Sequence, residues 1–103
     1  MVLYKSPLSV LALGEKAVNG ATAIAATSTI VREYNTKRTY IVLVNDSDQT
    51  IYLGLGVPAV MNTGVRLNAD GGAYERTPEK PFYGPIYAIC TSGAKKLVWV
   101  EEE

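Results

Sequence analysis

The amino-acid sequence predicts an all-β chain: a single antiparallel β-sandwich or jelly-roll-like barrel of about seven or eight short strands, led by an extended N-terminal arm. Two observations carry that prediction. Eleven Val, six Ile, nine Thr and seven Tyr in 103 residues suit a pleated, half-buried surface, because β-branched and aromatic side chains pack well there. Short apolar runs also recur along the chain between clusters of Asn, Asp, Ser, Gly and Pro, residues that favour tight turns. A chain of this length supports one modest core. The expected division is an arm over residues 1–20 and a sandwich domain over 21–103.

Each element follows from local chemistry. Val2-Leu3-Tyr4, ahead of Pro7, reads as extended chain. The apolar run Leu8-Ser9-Val10-Leu11-Ala12-Leu13 is bracketed by Pro7 and Glu15. At about six residues it is shorter than the apolar part of a signal peptide, so no targeting signal is expected. No stretch reaches the ~18 apolar residues of a membrane helix. In residues 21–31 the alanines favour helix, but Thr22, Ile24, Thr29, Ile30 and Val31 favour strand, and two strands around Thr27-Ser28 are expected. Tyr40-Ile41-Val42-Leu43-Val44 reads as a strand covered on both faces. It is followed by an Asn45–Gln49 turn and the alternating run Ile51-Tyr52-Leu53-Gly54-Leu55, the two runs forming a hairpin. Pro58 ends that strand. Val65 and Leu67 share a face, Asn68–Gly72 turns, and Ala73–Arg76 resumes extended chain. Pro78, Pro81 and Pro85 enclose a rigid loop. A last hairpin joins Ile86–Thr91 to Lys96–Val100 through Ser92–Lys95, with nearly every side chain able to be buried.

Composition excludes several kinds of chemistry. The chain has no histidine, the commonest general base and metal ligand, and a single cysteine, Cys90. No disulfide can form within the chain, and the formal net charge of zero argues against binding nucleic acid or a membrane surface by bulk electrostatics. Gly54-Leu55-Gly56-Val57-Pro58-Ala59 fits a dinucleotide-binding spacing, but too few residues follow for the helix whose N-terminal amides would meet a pyrophosphate. It reads as a glycine-eased bend. Cys90, mid-strand with no histidine to activate it, reads as a small hydrophobe. Asp46, Asp48 and Asp70 sit in turns without the closing Glu of a calcium loop. Asn45-Asp46-Ser47 is a chance glycosylation sequon. Glu101, Glu102 and Glu103 read as a solvated tail. No catalytic residue, metal ligand or cofactor is therefore assigned.

The aromatic residues are the better functional signal, since Tyr and Trp offer large contact area at low entropic cost. Tyr52, Tyr87 and Trp99 fall on strands and read as core or sheet-face residues. Tyr74, Phe82 and Tyr83, on an edge and a loop, are candidate interface residues. Val2, Leu3, Tyr4 and Leu8 of the arm join them, as an apolar segment with no evident place in the sandwich.

From Tyr40 onward the order of features resembles a family of small β-sandwich proteins of tailed phages and related viruses. The shared plan is an apolar strand ending in Asn45, the strand Ile51-Tyr52-Leu53-Gly54, then Gly64-Val65-Arg66-Leu67 and a glycine turn at Gly71-Gly72. Tyr87-Ala88-Ile89 and a Gly93 turn into a Val-rich last strand complete it. The resemblance implies a virion surface component: a capsid decoration (cement) protein, a head fibre or a tail-associated module. It further implies the major capsid protein or other virion proteins as partners, self-association as a homo-oligomer such as a trimer, and a location on the capsid surface after synthesis in the host cytoplasm. The competing class is a carbohydrate- or receptor-binding module of a tail or fibre, to which an exposed aromatic shelf would be equally useful. A small enzyme is the third.

Overall fold

A computed structural model of the chain describes residues 16–103. Eight strands follow one another: β1 (Ala17–Ile24), β2 (Thr29–Arg32), β3 (Tyr40–Asn45), β4 (Ile51–Leu55), β5 (Val65–Leu67), β6 (Ala73–Arg76), β7 (Ile86–Ile89) and β8 (Lys95–Glu102). They form two four-stranded antiparallel sheets, ordered β1-β8-β3-β6 and β2-β7-β4-β5. That order is an eight-stranded jelly roll, two Greek keys closed face to face. β1 begins at Ala17, within the stretch expected to be arm, and pairs with β8 along its whole length. The arm residues Val2, Leu3, Tyr4 and Leu8 lie outside the described residues.

Two expected hairpins are corrected. β3 and β4 lie in different sheets, as do β7 and β8. Among the eight strands only β4 and β5 are both consecutive and paired. The turn chemistry at 45–49 and 92–95 is real, but it bends the chain across the sandwich instead of back along one sheet. Turn residues specify a local reversal and carry no information about the partner of the next strand.

The strands expected to be covered on both faces are covered on one. β3 alternates, with Ile41, Leu43 and Asn45 buried and Tyr40, Val42 and Val44 half-buried. β8 does the same, with Leu97, Trp99 and Glu101 inward. The core joins these side chains to Ile24, Val31, Ile51, Leu53, Leu67, Ile86 and Ala88. Trp99 fixes its neighbour: Gly20 stands opposite it on β1, and a Cβ there would overlap the indole ring. Thr22 Oγ1 accepts the indole N–H at 3.1 Å, satisfying the one polar atom of the ring.

Two chain reversals at one end are held together by Asn45, which is fully buried. Its side-chain amide donates to the Gln49 carbonyl at 2.6 Å and the Leu67 carbonyl at 3.0 Å, and its Oδ1 accepts from Ser47 Oγ at 2.7 Å. Its backbone N–H donates to the Gly72 carbonyl and its own carbonyl accepts from Gly71, both at 2.8 Å. Buried polar groups are tolerated only when paired in this way.

Two outcomes are expected. Asn45→Leu keeps the volume but strands the Gln49 and Leu67 carbonyls, costing about 2 kcal/mol and lowering Tm by about 10 °C in a thermal melt. Gly20→Ala displaces Trp99 and costs about 1–3 kcal/mol, read as a lower Tm together with a red-shifted tryptophan emission.

Candidate functional site

Because the strands run up and down in turn, the connections 33–39, 56–64 and 77–85 leave the sandwich at the end where residues 16 and 103 also meet. The connections 25–28, 46–50, 68–72 and 90–94 leave it at the other. Lys16 and Glu103 exchange backbone hydrogen bonds at 2.8 and 3.3 Å. This end contains an ionic cluster that the sequence did not announce.

Glu101, 3% exposed, is its centre. The carboxylate accepts from Arg32 Nε at 2.9 Å and Arg32 Nη2 through Oε1, and from Arg38 Nε through Oε2. Arg32 arrives by a β-bulge: Thr29 pairs with Ala88, Ile30 with Tyr87, and Arg32, not Val31, with Ile86. The extra residue turns both Val31 and Arg32 toward the interior. There the Arg32 guanidinium lies 4.1 Å from the centre of the Trp99 ring, a cation–π contact.

Arg38, 2% exposed, uses four of its five N–H groups. Beyond Glu101 they reach the carbonyls of Phe82 at 2.7 Å, Gly84 at 3.0 Å and Glu33 at 2.7 Å. One side chain thus ties the 33–39 and 77–85 connections to β8. Burial works against ionisation of Glu101, but the bonds and charges of the two guanidinium groups outweigh it and hold the carboxyl below the ordinary glutamate range. A solvated tail is therefore not what closes the chain. Glu101 is a core ion, Glu102 belongs to β8, and Glu103 Oε2 accepts from Asn35 Nδ2 at 3.0 Å.

The clamp displays two tyrosines. Tyr34 is 65% and Tyr83 42% exposed, and the Asn35 N–H donates to the Tyr83 carbonyl at 2.8 Å, so their loops touch. Of the expected interface residues that the structure describes, Tyr83 alone is exposed. Tyr74 and Phe82 are half-buried and pack against the core, the Tyr74 hydroxyl accepting from Arg76 Nη1 at 2.9 Å. Tyr34 was missed; its signal was an aromatic isolated in the polar run Glu33-Tyr34-Asn35-Thr36-Lys37-Arg38. Beside the clamp, Lys16, Ala17, Val18, Arg32, Glu101 and Glu103 line an open groove of about 390 Å³. Two arginines neutralise Glu101 there.

The remaining motifs are structural. Gly54 is followed by a bend, and the chain returns so closely that a Cβ at Gly54 would lie 2.9 Å from Ala59. Cys90 is buried, its Sγ donating to the Ile24 carbonyl at 3.3 Å, and burial raises the thiol pKa. At the opposite end Asp46 pairs with Lys96 at 3.2 Å and Asp48 with Lys95 at 2.8 Å. Among the described residues no three His, Cys, Asp or Glu side chains come together to hold a metal ion. No protein family, curated protein or solved structure was found to match the chain. What fold and site define is a jelly-roll sandwich with an ion-clamped, tyrosine-bearing end.

Glu101→Gln leaves two guanidinium groups facing a neutral amide, and a loss of about 3–5 kcal/mol is expected. The pH dependence has a fixed sign. Unfolded glutamate titrates near about 4.3, and folded Glu101 titrates lower. Its stabilisation is complete above the unfolded value and is lost as pH falls through the folded one. Melts at descending pH should show the unmodified chain losing Tm below about pH 4, with that part of the loss absent in Glu101→Gln.

Proposed function

We propose that this chain is a non-enzymatic structural protein of a virion, in its simplest form a capsid decoration (cement) protein that binds the outer surface of a phage head and stabilises joints between capsid subunits. The observation that carries the reading is the rigid presentation of Tyr34 and Tyr83. A buried ion pair and four backbone bonds are spent on displaying aromatic surface. Exposed tyrosines on a pre-organised loop pair are what an interface needs, because little conformational entropy remains to be lost on binding. The order of features from Tyr40 onward supports the same reading through its resemblance to small virion β-sandwich proteins. So does the jelly roll, which recurs in viral capsid and lectin domains. A domain this small offers limited contact area, so binding as a homo-oligomer, a trimer in particular, belongs to the proposal.

The second reading, a carbohydrate- or receptor-binding module, draws on the same two tyrosines, since an exposed ring stacks equally well on a sugar. Fold alone does not choose between the two.

Co-sedimentation with empty capsids of the parent virus separates them. The chain is expected to bind stoichiometrically, and Tyr34→Ser with Tyr83→Ser to weaken binding by about 30-fold or more while Tm is kept. Absence of capsid binding, together with a glycan-array signal abolished by the same double variant, would overturn the decoration reading in favour of the carbohydrate one.

A further inference from the structure

Four strands end the two sheets: β1 and β6 in the first, β2 and β5 in the second. An unpaired strand edge is a template for another chain, and folded proteins blunt it with short strands, charges or bulges. Three of the four edges are blunted in these ways. β5 is three residues long, β6 is four and carries Glu75 and Arg76, and β2 is four and bulged before Arg32. β1 has none of these devices. It runs for eight residues without a charge or a proline, and its register with β8 is unbroken.

One pair of residues shows which backbone groups face the open edge. Lys16 and Glu103 exchange both of their backbone hydrogen bonds, and in an antiparallel ladder such pairs alternate with non-bonded ones. Val18, Gly20, Thr22 and Ile24 therefore turn their N–H and C=O groups to β8. Ala17, Asn19, Ala21 and Ala23 turn theirs the other way, where no described residue bonds to them. These four side chains are small and exposed. Val18, on the inner face opposite Glu101, is left 51% exposed.

We propose that the β1 edge binds the β1 edge of a second copy of this chain, antiparallel about a two-fold axis, joining the two β1-β8-β3-β6 sheets into one. The strand itself selects that partner. Its outward-bonding residues, Ala17, Asn19, Ala21 and Ala23, are placed symmetrically about Gly20. A two-fold axis at Gly20 therefore pairs Ala17 with the partner's Ala23 and Asn19 with the partner's Ala21, and the converse. Each pair exchanges two hydrogen bonds, and none of the outward groups is left over. Gly20 meets the partner's Gly20 at the axis, a non-bonded pair in which the Cα atoms come within about 4.5 Å. On the inner face Val18 comes opposite the partner's Thr22, which covers its exposed side. The strand has no charge to repel its copy. An isologous contact of this kind closes at two copies, so it gives a dimer and not a fibre. The inference does not depend on what Tyr34 and Tyr83 bind, and a trimer would have to form through other surfaces.

The test is sedimentation velocity of the full chain from about 10 μM to about 1 mM, a range suited to a contact at the small end of interface sizes. A monomer–dimer equilibrium is expected within it. Asn19→Lys with Ala21→Lys sets like charges opposite each other across the axis, and is expected to weaken the dimer by about tenfold or more while Tm is kept. Asn19→Lys with Ala21→Glu sets opposite charges in the same register and is expected to restore it. A chain that stays monomeric up to about 1 mM overturns the proposal. So does an oligomer that the first variant leaves unchanged, or a dimer that the second variant fails to restore. Hydrogen exchange separates a second copy from a segment of the same chain. The amides of Asn19, Ala21 and Ala23 are expected to gain protection as concentration rises. Protection that is the same at every concentration assigns the edge to the chain's own residues and also overturns the proposal.

Discussion

The contact between Glu101 and Arg38 is the one on which the terminal end of the sandwich depends. Both groups are buried, and bringing each out of water costs several kcal/mol. That cost is offset only because every partner is in place: Arg32 as the second counter-ion, and the carbonyls of Glu33, Phe82 and Gly84 as acceptors. Apolar residues of equal volume could stabilise a core as well. They could not dictate the path of two irregular connections. The ion pair does so, because a guanidinium group has its donors in a fixed planar fork and accepts only one arrangement of loops around it.

The bulge in β2 is part of the same device. Without the extra residue, Arg32 would follow the alternation of the strand and face solvent. With it, the side chain lies over Trp99, which in turn excludes any side chain at position 20. A register shift on one sheet, an ion pair across the sandwich and a glycine on the other sheet are thus one packing solution. The opposite end is built from neutral bonds around Asn45, with Asp46 and Asp48 in ion pairs at the surface. Exposed pairs of that kind contribute little to stability. The two ends therefore differ chemically: one is ionic inside and aromatic outside, the other is polar throughout.

Jelly-roll topology makes the outer faces unequal as well. Since only β4 and β5 are joined within one sheet, theirs is the connection free to fold back over a face instead of crossing between layers. Its close return onto Gly54 covers part of that sheet's outer face.

Strand positions were legible in the sequence because alternation of apolar and polar residues, and the clusters of Asn, Asp, Gly and Pro between them, are consequences of backbone geometry that each segment carries by itself. Spacing alone placed Ile51, Leu53 and Leu55 on one face of their strand, and Val65 and Leu67 on one face of theirs. Partners could not, because a turn at 45–49 is chemically the same whether the next strand pairs beside β3 or crosses to the facing sheet. The terminal glutamates were misread for a related reason: a run of like charges is soluble by default, and only two arginines more than sixty residues away in the sequence make burying one of them tolerable. The sequence by itself determined which residues form strands and that the chain would close as an all-β sandwich. The tertiary structure decided the jelly-roll order, the burial of Glu101 and the exposure of Tyr34, since each depends on contacts between segments that no local pattern encodes.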